Sequence, residues 1–174
     1  MPQDSGAVKI LMARSCVDSL KAKKFAIWNF AMALIELIYT SFSEADTQER
    51  DVRDILASSE TNNVATSITG LLLFDGERYI QILEGDIKDV ESLYEVICQD
   101  DRHHDLELLH KGGIANRSFS NWRMAYESMP KGLLAHLAES MGVFSLELED
   151  APLSSGESFG AKLNGMFMDA IAAE

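Results

Sequence analysis

The segment 67–84 constrains the fold more than any other part of this sequence. Two apolar-rich runs, 67–74 and 78–84, lie on either side of the dipeptide Asp75-Gly76. An Asp-Gly pair between two such runs is a strong signal for a tight β-hairpin, because the turn requires positive φ angles that glycine adopts freely. We therefore expect two adjacent antiparallel strands joined at these residues.

The rest of the sequence alternates strand patterns with helix patterns. Short apolar or alternating runs predict strands, whereas apolar residues three and four positions apart predict helices. The predicted elements are a strand over 34–39, a helix over 44–63, strands over 67–74 and 78–84, a helix between Asp86 and Asp101, and strands over 106–113 and 123–127. The order β-α-β-β-α-β-β predicts a ferredoxin-like α+β sandwich, a mixed five-stranded sheet with two helices on one face.

The second face of this sheet needs a cover. Ile80 and Ile82 point away from Gln81 because successive side chains of a strand alternate, and an apolar face of that area does not stay in water. Further helices are predicted near 133–141 and from Glu157 onward. We therefore expect an N-terminal extension over 1–33, a domain over 34–130, and a C-terminal helical tail over 131–174. The tail would cover the sheet or mediate oligomer formation and output.

Composition and charge exclude several classes of protein. The 174 residues suffice for one domain with a substantial core. A net charge of −13 repels a phosphate backbone, so we expect no nucleic-acid partner. Because no apolar run reaches the roughly 18 residues of a membrane span, we expect no membrane partner either. Cys16 and Cys98 fit neither a zinc site nor a disulfide framework, which leaves a reducing cytoplasm as the default location.

Two polar residues interrupt the face that the two helices should cover. Tyr39 shares a strand face with Leu37, and Gln81 shares one with Tyr79. We expect the two strands that carry them to be parallel neighbours, so that the phenol and the amide lie close together. A hydrogen bond between the two groups within the core would satisfy both of them, and the spacing by itself favours this interpretation. A polar ligand that completes the set is the alternative.

Four further polar residues carry a structural and a functional interpretation. Asn62 and Asn63 end the first predicted helix, where asparagine is commonly a cap. Their amides could also bind a planar group rich in carbonyl and N–H functions. Arg102 and His103 follow the second helix, either as solvated cations at its C-terminus or as a binding site for phosphate oxygens.

The sequence contains no established catalytic or metal-binding motif. GxSxG, P-loop and GxGxxG patterns are absent, and no pair of carboxylates stands out as an acid–base couple. His103, His104 and His110 lack an accompanying HExxH or CxxC pattern, so we expect no metal site. Trp122 and Met124 share a strand face, which is more typical of packing than of chemistry. We therefore expect a protein that is not an enzyme.

Together these segments resemble the BLUF family of blue-light sensors. The resemblance rests on LIYTS, SSETNNVATSITGLLLFDGERYIQILEG, DDRHH and SFSNWRM, which lie between positions 37 and 124. The residues that fall at the spacing of the family are Tyr39, Asn63, Gln81, Trp122 and Met124. The resemblance implies that 34–130 is a flavin-binding domain that holds FAD without covalent attachment.

The resemblance also implies roles in flavin binding. Ile55 and Ile97 would lie against the faces of the isoalloxazine ring, and Asn63, with Asn62, would bind its pyrimidine edge. FMN or riboflavin would fit the same pocket, because most of the implied contacts are to the ring. Apolar slabs with a few amides at the rim are what a flat, polar-edged ring requires.

The resemblance further implies a photoswitch beside the flavin ring. Gln81 would reach N5 and O4 of the flavin while it meets the Tyr39 hydroxyl, and Arg102 with His103 would lie near the ribityl-phosphate end. Light would excite the flavin, and Tyr39 would transfer an electron and a proton towards it through Gln81. Recombination would leave Gln81 rearranged, without net chemistry.

The output of such a switch would have to leave through the C-terminal part of the chain. Trp122 and Met124 would pass the change from the last strand to the tail helices, and then to an unknown effector protein or within a homo-oligomer. The alternative hypothesis is a non-photochemical, ferredoxin-like interaction domain. A third, a small-molecule hydrolase on the same scaffold, has no support in the residues.

Overall fold

The architecture is a five-stranded sheet with helices on both faces. The computed structural model describes residues 34–44, 52–57, 66–121, 123–139, 158 and 160–162. Its elements are the strands β1 (Leu34–Ser43), β2 (Thr69–Phe74), β3 (Arg78–Asp86), β4 (His103–Gly113) and β5 (Ala125–Ser128), and the helix α1 (Ile87–Ile97). The strand order is β4-β1-β3-β2-β5. β5 is parallel to β2, and the other pairs are antiparallel. The predicted α+β fold is confirmed.

The β2–β3 hairpin forms where the sequence predicts it. β2 and β3 pair in an antiparallel ladder that runs from Thr69 opposite Glu84 to Phe74 opposite Tyr79. Gly76 has a φ of 88°, the left-handed conformation for which glycine is needed. The turn is closed by Asp75, whose Oδ1 accepts hydrogen bonds from the backbone N–H groups of Glu77 in the turn and Arg78 at the start of β3.

The relation between the Tyr39 strand and the Gln81 strand differs from the prediction. β1 and β3 are antiparallel, not parallel, and Tyr39 lies directly opposite Gln81. The helical crossover joins β1 to β2, and the hairpin then inserts β3 between them. A strand inserted in this way runs opposite to both of its neighbours. The predicted proximity of the two side chains is nevertheless correct, because both of them lie on the same face.

The helices match the sequence patterns within the described residues. The first predicted helix is helical over 52–57, and most of its remainder lies outside the described residues. α1 begins after Asp86, whose side chain accepts from the Lys88 N–H at 3.0 Å. Cys98, the C-cap of α1, takes part in a disulfide, so the expectation of no disulfide was wrong there. Among the helices described, none has the length and hydropathy to cross a membrane.

The two faces of the sheet bury separate clusters of side chains. On the α1 side, Tyr39 packs in a cluster with Val90 and Tyr94 of the helix. The opposite face contains the aliphatic side chains of alternate strand positions, and a helical segment over 133–139 places Leu134 and Ala138 against them. These two side chains therefore cover part of this face of the sheet.

The 133–139 segment is also held by the hairpin turn. Asp75 Oδ2 accepts from the backbone N–H groups of Gly132 at 3.1 Å and Leu134 at 3.3 Å. Carboxylates at a helix N-terminus satisfy free N–H groups and interact favourably with the helix dipole. One side chain thus closes the hairpin and caps the helix that follows β5.

A pair of buried carboxylates also lies on the tail-covered face, beside the apolar side chains such as Ile82 that the sequence pattern places there. Glu36 and Glu84 stand opposite each other on β1 and β3, and they are 2% and 0% exposed. Glu84 accepts hydrogen bonds from the backbone N–H groups of Ser118 at 2.8 Å and Phe119 at 3.0 Å. Glu36 Oε2 accepts from the Gly160 N–H at 2.9 Å. The carboxylates therefore anchor the 113–121 connection and the tail to the two central strands.

Replacing Gly160 with alanine is expected to loosen this tail contact. A Cβ at position 160 would lie 3.1 Å from Glu36 Oε2 and 3.2 Å from Phe119 Cε2, closer than ordinary van der Waals contact. We expect faster amide hydrogen exchange around position 160 and a loss of about 1–2 kcal/mol in unfolding free energy. Ala161→Ser, at the exposed neighbouring position, should change neither quantity. Equal exchange in the two variants would show that the glycine is not required for docking.

Candidate functional site

A cleft opens between the sheet, α1 and the 52–57 segment. It encloses about 670 Å³ of atom-free space when its open mouth is counted. The described side chains that line it are Tyr39, Ser41, Ile55, Leu72, Tyr79, Gln81, Leu93, Val96, Ile97, Asp100, Arg102 and His103. Aliphatic walls with a few polar groups at the floor and rim are the usual composition of a site for a flat organic cofactor.

The floor of the cleft contains a connected chain of polar side chains. The Tyr39 hydroxyl donates to Gln81 Oε1, and Gln81 Nε2 donates to Met124 Sδ at 3.3 Å. Both ends of the Gln81 amide are therefore engaged, the oxygen by a phenol and the nitrogen by a thioether. An amide is donor at one end and acceptor at the other. A half-turn of this side chain would therefore bring its NH₂ group to the Tyr39 oxygen, which can accept, and its oxygen to the Met124 sulfur, which has no hydrogen to donate.

Tyr39 is held as a neutral phenol by its surroundings. Burial raises the pKa of its hydroxyl far above the usual range, and the neighbouring Tyr94 and Asp100 raise this pKa further. The ring of Tyr94 lies 5.4 Å from that of Tyr39, tilted by 59°. A phenol that cannot release its proton to water can still give it to a direct hydrogen-bond acceptor, and Gln81 is that acceptor.

The rim of the cleft carries a charged pair and a histidine. Arg102 Nε donates to Asp100 Oδ1 at 2.9 Å and to Oδ2 at 3.0 Å. Burial acts to raise the pKa of Asp100, but the hydrogen bonds from Arg102 outweigh it and hold that pKa below its usual value. Burial lowers the pKa of His103, so the imidazole is neutral near pH 7. The Arg102 side chain remains 40% exposed and marks the outer end of the cleft.

The described part of the chain contains seven of the ten site residues predicted from the sequence. Ile55, Ile97, Arg102 and His103 line the cleft together with Tyr39 and Gln81, and Met124 contacts the Gln81 amide. The other three, Asn62, Asn63 and Trp122, lie outside the described residues.

The sequence patterns did not identify Ser41, which lines the cleft, or Tyr94, whose ring lies beside that of Tyr39, as residues of the site. Ser41 and Tyr94 both contribute to the Tyr39 side of the sheet, Ser41 from β1 and Tyr94 from α1. Strand alternation already places Ser41 on the same face as Tyr39, and that signal could have identified it. Tyr94 belongs to the apolar stripe of its helix, where the pattern gives no hint of a role beyond packing.

The described residues fit a flavin. Ile55, Leu93 and Ile97 supply apolar contact area, and Gln81 presents an amide at the floor of the cleft. In the described part of the chain the Ser41 hydroxyl is buried without a hydrogen-bond partner, as expected where a polar ligand supplies the missing partner.

Comparison with known proteins agrees with this geometry. The family model described as "Sensors of blue-light using FAD", or BLUF, matches residues 34–125, more than half of the chain. The chain belongs to the BLUF family. BLUF domains use FAD to sense blue light, and they are sensors, not enzymes. The resemblance inferred from the sequence motifs is therefore confirmed.

Curated relatives share the BLUF domain within longer proteins. The blue light- and temperature-regulated antirepressor BluF of Escherichia coli (strain K12) is 36% identical over 77 residues, which are 44% of this chain and 19% of BluF. Photoactivated adenylate cyclase subunit beta of Euglena longa is 32% identical over 92 residues, 52% of this chain and 11% of the subunit. The matched region thus spans less than a fifth of either relative.

Solved BLUF structures share the fold. The dark-state structure of the BLUF protein BlrB aligns with a TM-score of 0.58 and 26% identity, and the alignment covers 68% of this chain and 96% of BlrB. Ground-state BlsA gives a TM-score of 0.55 and 25% identity, with 72% and 93% covered. Klebsiella pneumoniae BlrP1 with FMN and cyclic diGMP gives 0.53 and 31%, with 67% and 32% covered.

Proposed function

We propose that this BLUF protein is a blue-light photoreceptor that holds FAD non-covalently in the cleft and switches through Tyr39 and Gln81. The observation that carries the proposal is the hydrogen bond from the Tyr39 hydroxyl to the Gln81 amide at the floor of the cleft. A plain core hydrogen bond does not require an adjoining cleft with aliphatic walls and a charged rim. The cleft and the family membership favour the ligand-binding interpretation of the same pair.

The proposal assigns the cofactor contacts as the sequence implied them. Ile55 and Ile97 would pack on the ring faces, and their place in the cleft lining supports this assignment. Asn62 and Asn63 would bind the pyrimidine edge, and Gln81 would reach N5 and O4. A second group of residues, Arg102 and His103, would bind at the ribityl-phosphate end, which the exposure of the guanidinium supports.

The proposed switch uses the amide of Gln81 as its moving part. When bound, FAD supplies blue-light absorption and, once excited, the capacity to take an electron from a nearby tyrosine. Tyr39 would give that electron, and its phenolic proton would pass towards the flavin through Gln81 Oε1, the atom that the hydroxyl already contacts. The return of the electron and the proton would leave the amide rotated. Its oxygen would then face Met124, and the N–H donation to Met124 Sδ would be lost.

The proposed output passes from Met124 into β5 and the tail. Met124 directly precedes β5, and the 133–139 segment follows it against the far face of the sheet. An effector protein receives the signal, and a homo-oligomer is part of the proposal. The names of relatives, an antirepressor and a cyclase subunit, support an output through a further protein or domain. The proposal also includes a cytoplasmic location, with neither nucleic acid nor a membrane as a direct partner.

The experiment is a reconstitution followed by illumination. We expect the full chain to take up one FAD per chain and to turn yellow, and denaturation should release the FAD unmodified. Blue light should shift the flavin absorption band to longer wavelength without bleaching, and darkness should restore it. A protein that takes up no flavin would favour the alternative of an interaction domain, and a bleached band would contradict the switch.

A further inference from the structure

β1 contains three hydroxyl side chains within four residues, and they differ in whether a hydrogen-bond partner is present. Thr40 Oγ1 donates to the Tyr79 carbonyl oxygen at 2.9 Å, and Ser43 Oγ donates to the Glu77 carbonyl oxygen at 3.1 Å. Both bonds tie β1 to β3 or to the turn before it. Ser41, between them, is 0% exposed and has no hydrogen-bond partner among the described residues.

The position of Ser41 in the cleft wall indicates what its hydroxyl could bind. It lines the cleft, two residues along β1 from Tyr39 and opposite Tyr79 of β3. Buried hydroxyl groups in folded proteins are almost always hydrogen-bonded, and a hydroxyl can both donate and accept. A buried hydroxyl in a cleft wall that neighbouring strands leave unsatisfied is therefore a specific contact point for a polar ligand.

We infer that Ser41 is a cofactor-binding residue, whose hydroxyl hydrogen-bonds the ring or ribityl half of the flavin. This inference rests on the proposed function and adds a contact to it. The fully buried position of Ser41 selects that half, because the Arg102 side chain at the rim marks the end of the cleft where the rest of FAD would extend towards solvent. The contact is accordingly common to FAD and riboflavin.

The test compares Ser41→Ala with Ser43→Ala, the same substitution on the same strand at a hydroxyl bonded outside the cleft. Titration of the apoprotein with FAD and with riboflavin gives the affinities, and urea unfolding of the apoprotein gives the stabilities. Ser41→Ala should bind both flavins about five- to tenfold more weakly, the effect of one hydrogen bond. The stability of its apoprotein should be unchanged or higher, because the variant no longer buries an unsatisfied hydroxyl. Ser43→Ala should bind flavin as the parent does.

The outcomes separate this inference from the function on which it rests. If the parent binds FAD and Ser41→Ala binds equally well, only the assignment of Ser41 is wrong. A less stable apoprotein with unchanged flavin affinity would show a purely structural hydroxyl and would also overturn the assignment. If Ser41→Ala binds FAD more weakly but riboflavin normally, the contact would lie at the phosphate or adenosine part of FAD. That result would contradict the assignment to the ring or ribityl half. If the parent takes up no flavin, the proposed function fails and the inference falls with it.

Discussion

Replacing Tyr39 with phenylalanine is expected to abolish the light-induced red shift while FAD stays bound. The substitution removes the hydroxyl that donates to Gln81 Oε1 and with it the proton that the switch moves. The aromatic ring remains, so its packing against Tyr94 is retained. We expect the amplitude of the shift to fall by at least about a hundredfold, because the loss of the proton donor removes the reaction instead of slowing it. Light-minus-dark absorption spectra at equal flavin occupancy measure the amplitude.

Tyr94→Phe is the matched control for this experiment. It removes a second buried phenol hydroxyl beside the first ring, but it leaves the Tyr39–Gln81 bond in place. The control should photocycle with the full amplitude. If the Tyr39→Phe protein shows the same red shift as the parent, or if the Tyr94→Phe protein shows none, the switch would depend on a tyrosine other than Tyr39.

The second large effect concerns stability and lies on the other face of the sheet. Glu84→Gln is expected to lower the unfolding free energy by about 2 kcal/mol. The two carboxylate oxygens accept from the N–H groups of Ser118 and Phe119. An amide of the same shape offers only one oxygen, so its NH₂ group faces a backbone N–H and leaves that donor unsatisfied.

Urea unfolding followed by circular dichroism measures this loss. Glu107→Gln, the same change at an exposed position of β4, should alter the unfolding free energy by less than about 0.5 kcal/mol. Equal stabilities of the two variants would mean that the buried carboxylate does not hold the 113–121 connection. We also expect Glu84→Gln to retain the red shift, because Gln81 and Glu84 point to opposite faces of β3.

The switch and the tail anchor share the two central strands. Tyr39 and Gln81 lie on one face of β1 and β3, whereas Glu36 and Glu84 lie on the other face of the same strands. The Gly160 N–H binds Glu36, and the 133–139 segment packs beside this anchor on the same face. A displacement of either strand therefore moves the surface on which the tail packs. This coupling gives the proposed signal a second path from Tyr39 and Gln81 to the tail, in addition to the path through Met124.

The sequence determined much of the fold and the centre of the site. The Asp-Gly turn, the period of α1 and the alternation in β1 and β3 are local signals, and each of them reports on its own residues. They placed Tyr39 and Gln81 on one face, where the structure brings them into contact. The apolar pattern at Ile80 and Ile82 similarly predicted that the far face would be covered, and Leu134 covers it.

Properties that depend on pairing between distant segments were not predictable in the same way. The antiparallel register of β1 and β3 follows from where the hairpin inserts, which no local pattern states. β4 begins at His103, earlier than predicted, because Asp105 adopts a positive φ of 50° and a register shift lets β1 and β4 continue their pairing. The burial of Glu84 depends on donors more than thirty residues away. The missing partner of Ser41 likewise becomes visible only when all neighbouring atoms are placed.

The most direct test of the account is a light-minus-dark infrared spectrum of the FAD-loaded chain with isotope-labelled glutamine side chains. The account predicts a label-sensitive carbonyl band that changes on illumination, since the Gln81 oxygen loses the hydrogen bond that the Tyr39 hydroxyl donates to it. The band should persist in Gln99→Ala, which removes an exposed glutamine bonded only to its own helix, and should vanish in Tyr39→Phe. A visible red shift without any label-sensitive band would contradict a switch at Gln81.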